Sequence, residues 1–261
     1  MRVLMIGDVV GRTGRYCLRD LLVRIKENYE INFVIANGEN SAGGTGITRK
    51  IANDIFSYGV DLITTGNHVW DNKDVFNFID HEERILRPAN YPPESPGIGS
   101  NIYRVGDISL GVINLMGRVF MPGLDCPFRT AEKEIARLKK NTNNIIIDFH
   151  AEATSEKVAL GWFLDGKVSA VFGTHTHVQT ADEKILPGST AFISDVGMTG
   201  PVNSIIGVKK ELVIEKFITQ LPVRFEVSKE PQGQFNAVIV EIDSENGKAH
   251  NIERLIDHHE I

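Results

Sequence analysis

Residues 31–40 read INFVIANGEN, a short apolar run that ends in a polar turn containing glycine. The same arrangement occurs twice more nearby: residues 2–7 lead into Asp8, and residues 62–65 lead into Gly66-Asn67-His68. Between these runs lie segments whose apolar residues have helical spacing. In the first segment that spacing is carried by Leu18, Leu21, Leu22 and Ile25. Alternating strands and helices predict βαβ units on a parallel sheet, so the predicted fold class is α/β.

The rest of the chain continues this alternation. Proline and glycine are concentrated in residues 88–100, which predicts an irregular segment, either a lid or a connector. Further strands are predicted at 101–105, 108–114, 145–147, 168–172 and 237–242, and further helices at 129–141 and 156–164. The last third is predicted to hold strands, among them residues 223–227, and little helix. No repeat or change of composition marks a boundary, so residues 1–261 are predicted to form a single domain.

Composition and charge narrow the class of function. The chain has 261 residues, of which 42% are hydrophobic and 24% charged, as is typical of a globular protein and not of a disordered one. Its 28 Lys and Arg residues against 34 Asp and Glu give a net charge of −6. A nucleic-acid coat protein needs clustered cations, so that class is disfavoured, whereas a single small phosphate ester stays open as a ligand.

Cysteine usage and the length of the apolar runs indicate the compartment. Cys17 and Cys126 have no neighbouring partner, which excludes a CxxC redox pair and a local cysteine zinc site. The first apolar run is too short for a signal peptide, and no run approaches the roughly 20 residues of a membrane span. We therefore expect a soluble, cytoplasmic protein without a membrane partner.

Polar side chains follow the apolar runs at the points where the strands are predicted to end. Five such residues occur: Asp8, Glu39, Asn67, His150 and His175. The carboxyl ends of parallel strands share one edge of a sheet, so we expect these side chains to converge. His177 lies two residues after His175 and points to the same side if the backbone there is extended.

This mixture of carboxylates, amide and imidazoles is a set of metal ligands. Nitrogen and oxygen donors together suit Fe, Mn, Zn or Co better than an all-oxygen calcium or magnesium site. Six or seven ligands are too many for one open metal site, so two metals sharing a carboxylate fit better, with Glu39 as the bridge. Two divalent ions and two carboxylates leave about +2 of charge for a hydroxide and an anionic substrate such as a phosphate ester.

Taken alone, each of these residues has another interpretation. Asp8 and Asn67 are also suited to be helix N-caps, because each follows a strand. His150 is also suited to be an interior histidine whose hydrogen bonds are satisfied. The other histidines lie in polar or terminal surroundings and are not predicted ligands; they are His81, His250, His258 and His259.

Together these motifs resemble those of the calcineurin-like metallophosphoesterases. The matching stretches are Gly7-Asp8, Gly66-Asn67-His68, His150 after a strand, and Gly173-Thr174-His175-Thr176-His177. Two departures, Val10 in place of a histidine and Glu39-Asn40 in place of an aspartate, are the pattern of the YmdB-like branch. Further stretches that resemble this branch are Gly7-Asp8-Val9-Val10-Gly11, Asn37-Gly38-Glu39-Asn40, Gly43-Gly44-Thr45-Gly46 and Asp195-Val196-Gly197-Met198-Thr199-Gly200.

The resemblance implies a four-layer αββα sandwich with two metal ions, iron or manganese most often and zinc as an alternative. It also implies a phosphodiesterase acting on cyclic nucleotides, notably 2′,3′-cyclic ones. One metal would be held by Asp8, Glu39, Asn40 and His177, and the other by Glu39, Asn67, His150 and His175. His68 would be the catalytic histidine and not a ligand. Asn40 has a second interpretation, in which it only orients Glu39.

The mechanism predicted on this basis is in-line attack by a metal-bridging hydroxide, with protonated His68 donating a proton to the departing ribose oxygen. Two other functions stay open: a phosphomonoesterase of the same fold, and a regulatory protein that binds RNA or a nucleotide and keeps a structural metal site. A homo-oligomer is also compatible with the sequence. Arginines near the motif loops are candidates for phosphate contact; they are Arg12, Arg15, Arg49, Arg118 and Arg129.

Overall fold

The computed structural model describes residues 1–261 and contains fourteen β-strands and five α-helices. The strands are β1 (Arg2–Ile6), β2 (Asp8–Val9), β3 (Phe33–Asn37), β4 (Leu62–Thr64), β5 (Ile85–Leu86), β6 (Ser100–Val105), β7 (Ile108–Met116), β8 (Ile145–His150), β9 (Ala170–Thr174), β10 (Lys184–Ile185), β11 (Ala191–Ile193), β12 (Met198–Pro201), β13 (Gln232–Ile242) and β14 (Ala249–Glu260). The helices are α1 (Gly11–Asn28), α2 (Arg49–Ser57), α3 (Pro127–Leu138), α4 (Thr154–Phe163) and α5 (Lys210–Thr219). None of the helices combines the length and the apolar composition needed to cross a membrane.

The strands form two sheets. The first has the order β2, β12, β13, β1, β3, β4, β5, with β14 paired to β13, and the second has the order β10, β11, β9, β8, β7, β6. Pairs β1–β3 and β3–β4 are parallel and are connected through α1 and α2, which confirms the predicted βαβ units. The first sheet is mixed, because β13 runs antiparallel to β1 beside these parallel pairs.

The two sheets pack face to face. Side chains alternate along β1, so that Val3 and Met5 point into an apolar layer shared with Val112 and Ile146 of the second sheet. α1 and α2 cover the outer face of the first sheet, and α3 and α4 cover the outer face of the second. The predicted four-layer αββα sandwich is thereby confirmed.

The strand within residues 31–40 lies in the middle of the first sheet. All five residues of β3 are buried, because the strand has neighbours on both edges and packed layers on both faces. The apolar residues predicted to form one face of α1 are also buried, and they pack on this sheet; they are Leu18, Leu21, Leu22 and Ile25. Residues 88–99 are irregular, as predicted, and connect β5 of the first sheet to β6 of the second.

Three expectations for the later part of the chain need correction. The helix predicted at 129–141 spans Pro127–Leu138 in the structure. It begins two residues earlier than predicted because proline is favoured in the first turn of a helix. The last third contains the helix α5. Val213 is its one buried residue, so α5 has no apolar stripe from which a helix could be predicted. Residues 223–227 are not a strand; they run along the surface, where Val227 forms only an isolated bridge with Val208.

Candidate metal centre

The residues proposed as ligands come together where β1, β3, β4, β8 and β9 end. Asp8 follows β1, Glu39 and Asn40 follow β3, Asn67 follows β4, His150 closes β8, and His175 and His177 follow β9. Four of them line one cavity of about 250 Å³, namely Glu39, Asn40, His175 and His177. The convergence expected from the strand ends is therefore present in the structure.

The first group of donor atoms surrounds Nε2 of His150. This atom lies 2.9 Å from Oε1 of Glu39, 3.1 Å from Oδ1 of Asn67 and 2.9 Å from Nδ1 of His175. His150 has at most one proton on Nε2, so it can satisfy only one of these three neighbours. A cation at the centre of the group would satisfy all four donor atoms, which is the chemistry of a metal shell.

The second group contains acceptor atoms that have no hydrogen-bond donor. Oδ1 of Asp8 and Oδ1 of Asn40 are both buried and have no hydrogen-bond partner. Nδ2 of Asn40 donates to the carbonyl oxygen of Gly44 at 2.9 Å, which fixes the amide with Oδ1 free. Buried polar atoms are nearly always paired, so these two unpaired oxygens are what a bound cation would satisfy.

His177 lines the same cavity as Glu39 and Asn40. Its Nδ1 lies 2.9 Å from the carbonyl oxygen of Ile206, which can only accept, so Nδ1 carries the proton. The lone pair is then on Nε2, the atom available to a metal. His175 is fixed in the opposite tautomer, because its Nε2 lies 3.1 Å from the carboxylate of Glu152 and its Nδ1 faces His150.

The alternative interpretations of single residues find little support. The residue at the N-cap of α1 is Val10, not Asp8, and Asn67 lies in a turn and not at a helix start. The side chain of Asn40 bonds to Gly44 and makes no hydrogen bond to Glu39, so it does not orient that carboxylate directly. His150 is indeed interior, but its Nε2 faces three polar atoms at once.

Without a metal ion, the cluster contains a positive charge on His150 and a negative charge on Glu39. Burial opposes the charged form of His150, but the carboxylates of Glu39, Asp8 and Asp148 together outweigh it and raise the pKa of His150 to about 9. Burial likewise opposes the charge of Glu39, but His150 and His68, which also donates its backbone N–H, together outweigh it and lower the pKa of Glu39 to about 2. Burial and the positive His150 together lower the pKa of His175 to about 3. A bound cation would replace the proton of His150, so metal and proton compete for this position.

A buried relay that the sequence reasoning missed holds His150 in place. Nδ1 of His150 lies 3.0 Å from the hydroxyl of Thr174, which in turn donates to Oδ1 of Asp148 at 2.8 Å. The hydroxyl of Thr64 donates to the other oxygen of Asp148 at 2.5 Å. Because the threonine proton goes to Asp148, its oxygen accepts from Nδ1, and Nε2 is directed at the metal position. Only the position of Asp148 near a strand end could have suggested this role.

A buried ion pair supports the turn between His175 and His177. Nζ of Lys157 lies 2.7 Å from Oδ2 of Asp195, and both side chains are almost fully buried. The same oxygen accepts hydrogen bonds from the backbone N and the hydroxyl of Thr176. Asp195 lies in a stretch that the family resemblance includes, whereas no signal in the sequence pointed to Lys157.

His68 lies at the mouth of the cavity. Its backbone N donates to Oε2 of Glu39 at 3.1 Å, and its Nδ1 lies 2.7 Å from Oδ2 of Asp71. The side chain is 32% exposed and lines the cavity without being part of either donor group.

No arginine or lysine lines this cavity, so none of the five candidate arginines reaches it. A larger cavity of about 720 Å³ lies elsewhere, around Arg87 and Arg129.

Comparison with known proteins agrees with this geometry. The model of the YmdB-like protein family matches residues 4–255. The chain belongs to the YmdB-like family. A 2′,3′-cyclic-nucleotide 2′-phosphodiesterase of Bacillus subtilis strain 168 is 51% identical to it over 256 residues, which cover 98% of this chain and 97% of that protein. The family resemblance stated from the strand-end motifs is thus confirmed.

Two solved structures are similar to this YmdB-like chain over its whole length. A crystal structure of a hypothetical protein from Thermus thermophilus has 41% sequence identity and a TM-score of 0.93, and the match covers 99% of each chain. A crystal structure of a phosphatase from Mycoplasma pneumoniae has 34% identity and a TM-score of 0.93, covering 100% of this chain and 94% of that one.

Replacing Gly66 with alanine should disrupt the first donor group of this YmdB-like site. A Cβ atom at Gly66 would overlap Cδ2 of His150 and lie 2.5 Å from Oε2 of Glu39, so both side chains must move. We expect Gly66→Ala to lower metal affinity by about tenfold or more, measured by metal titration of the purified protein. Gly123→Ala is the matched control, because a Cβ there meets nothing within 4 Å. Wild-type affinity in a folded Gly66→Ala protein would contradict the assignment.

Removing the buried lysine should destabilise the fold. Lys157→Met leaves Asp195 buried without its counter-ion, and we expect the free energy of unfolding to fall by about 3 kcal/mol. Denaturant unfolding followed by circular dichroism measures this change. In the control Lys167→Met, the lost pair with Glu132 is exposed, so the loss should stay below about 1 kcal/mol. Equal losses in the two variants would show that the buried pair has no special role.

Proposed function

We propose that this chain is a metal-dependent phosphodiesterase that hydrolyses 2′,3′-cyclic nucleotides. The observation that carries the proposal is the cluster of metal-type donor atoms of Glu39, His150 and His175, with unpaired buried oxygens on Asp8 and Asn40, in a chain 51% identical to a 2′,3′-cyclic-nucleotide 2′-phosphodiesterase. We take residues 1–261 to act as one domain, since an apolar layer joins both sheets. Both cysteines are free, which supports a cytoplasmic location.

In this proposal the two groups hold two metal ions. Asp8, Glu39, Asn40 and His177 would hold one ion, and Glu39, Asn67, His150 and His175 would hold the other. The mixed nitrogen and oxygen donors favour iron or manganese, with zinc as the alternative. When bound, such ions supply an activated water and positive charge for the phosphoryl oxygens.

The electrostatics of the cavity support dependence on metal. Glu39 and Glu152 both line it, and no arginine or lysine does. A phosphodiester anion would meet net repulsion there unless cations are present. The chain's own residues therefore fix the ligand geometry, and they leave the neutralisation of the substrate to the metals and to the histidines.

His68 is the residue we assign to proton transfer. Its Nδ1 is bonded to Asp71, which fixes the ring and leaves Nε2 as the atom that can meet a substrate. In its protonated form, Nε2 would donate its proton to the ribose oxygen that departs when the phosphodiester bond breaks. Departure of the 2′ oxygen would yield a nucleoside 3′-phosphate.

The substrate class is tested by comparing esters on metal-reconstituted protein. We expect adenosine 2′,3′-cyclic phosphate to be hydrolysed to adenosine 3′-phosphate at least about tenfold faster than the 3′,5′-cyclic isomer or p-nitrophenyl phosphate, measured as kcat/KM. Removal of metal by a chelator should abolish turnover, and added metal should restore it. Faster cleavage of the monoester would favour the phosphomonoesterase alternative, and salt-sensitive RNA binding without hydrolysis would favour the regulatory one.

Substituting His68 separates proton donation from metal binding. His68→Ala should keep the metal content of the wild type, because the side chain lies outside both donor groups, and should lower kcat by about 10²–10⁴-fold. Metal analysis and kcat on adenosine 2′,3′-cyclic phosphate are the two measurements. His81→Ala is the control, an exposed histidine outside the cavity. Full activity of His68→Ala with normal metal content would refute the role.

A further inference from the structure

An isoleucine occupies a turn position that normally requires asparagine or glycine. Ile205 and Val208 exchange two backbone hydrogen bonds of 2.9 Å, and between them Ile206 has φ +47° and Gly207 has φ +97°. Two central residues with positive φ are the pattern of a type I′ turn, whose usual sequence is Asn-Gly or Asp-Gly. A β-branched residue at such a φ is a genuine conformational outlier.

The turn is tied to the proposed metal centre. The carbonyl oxygen of Ile206 accepts the hydrogen bond from Nδ1 of His177. On the other side, Gly207 lies so close to Val10 that an added Cβ would be 2.7 Å from its Cγ1. Ser204 also accepts a hydrogen bond from the backbone N of Gly207 at 3.0 Å. The backbone of the turn is therefore held in position beside the proposed metal centre.

The fold itself does not account for the isoleucine. Its side chain is 50% exposed and belongs to none of the apolar clusters of the core. The hydrogen bond to His177 uses the backbone carbonyl, so asparagine at this position would provide it equally well. Strain that the core does not require is typical of positions kept for a functional reason.

Ile206 is the one hydrophobic residue lining the cavity. The other lining residues carry carboxylate, amide, hydroxyl or imidazole groups; they are Glu39, Asn40, His68, Glu152, His175, Thr176 and His177. A nucleotide bound through its phosphate also presents a flat apolar face, that of the base, which such polar groups do not match.

We propose that Ile206 is a substrate-binding residue, whose side chain forms a shelf for the nucleobase of the cyclic nucleotide. The inference rests on the proposed function and extends it, since it names the residue that distinguishes a nucleotide from a diester without a base. Ile206 lines the cavity, and the carbonyl oxygen of the same residue accepts the hydrogen bond that orients His177.

The test compares two cyclic phosphodiesters on Ile206→Asn. Adenosine 2′,3′-cyclic phosphate carries a base, and glycerol 1,2-cyclic phosphate has the same five-membered ring without one. Loss of the apolar contact should lower kcat/KM for the nucleotide by about five- to tenfold more than for the glycerol diester, mainly through KM. Because asparagine suits the turn, Tm should be equal to or above that of the wild type.

Two further variants make the result decisive. Ile206→Gly also relieves the strained backbone and should reproduce the selective loss, so the test does not depend on one variant folding. Ile256→Asn is the matched control, an isoleucine 52% exposed and outside the cavity, and should keep the wild-type ratio of the two kcat/KM values.

An unchanged ratio in both Ile206 variants, or an equal loss on both substrates, would overturn the shelf and leave the proposed function intact. Wild-type protein that hydrolyses neither diester would instead refute the proposed function, and the shelf with it.

Discussion

The carboxylate of Glu39 is the constraint on which the rest of the site depends. It is almost fully buried, one oxygen lies 2.9 Å from His150, and the other accepts the backbone N of His68. A buried charge must be compensated, and here the compensation comes from imidazoles and, in our proposal, from metal. Because Glu39 follows the central strand β3, the neighbouring strands end within reach of it. The adjacency of β1, β3 and β4 in the first sheet thus places Asp8, Glu39 and Asn67 at neighbouring strand ends.

This dependence explains what could be predicted from the sequence. The βαβ alternation is local, so β1, β3, β4 and α1 follow from apolar spacing alone. The ends of parallel strands meet by topology, so the sequence predicts that Asp8, Glu39 and Asn67 lie close together. The antiparallel direction of β13 beside β1 was not predictable, because an apolar run does not specify its direction. The helix α5 was also not predictable, because almost none of its residues is buried and it therefore has no apolar face.

The residues that support the ligands could not be predicted, because their roles arise only from burial. Asp148 fixes the tautomer of His150 through Thr174, and Lys157 neutralises Asp195 beneath the His175–His177 turn. Nothing local to a lysine in a helix indicates that its ammonium group is inside the protein. Two buried polar networks thus flank the ligands, one behind His150 and one behind the turn, and each makes the orientation of an imidazole a property of the whole fold.

The backbone around the cavity is strained at several of the residues that line it. Of the seven residues other than glycine with positive φ, three line the cavity: His175 at +104°, His177 at +66° and Ile206 at +47°. Each such residue costs about 1–3 kcal/mol, so the surroundings must hold them. Between the two histidines, Thr176 is bonded twice to Asp195, and beyond them His177 is bonded to Ile206. The hydrogen bonds that hold this strained backbone, from Thr176 to Asp195 and from His177 to Ile206, are therefore the same ones that orient the proposed ligands, so losing those hydrogen bonds would also misalign the site.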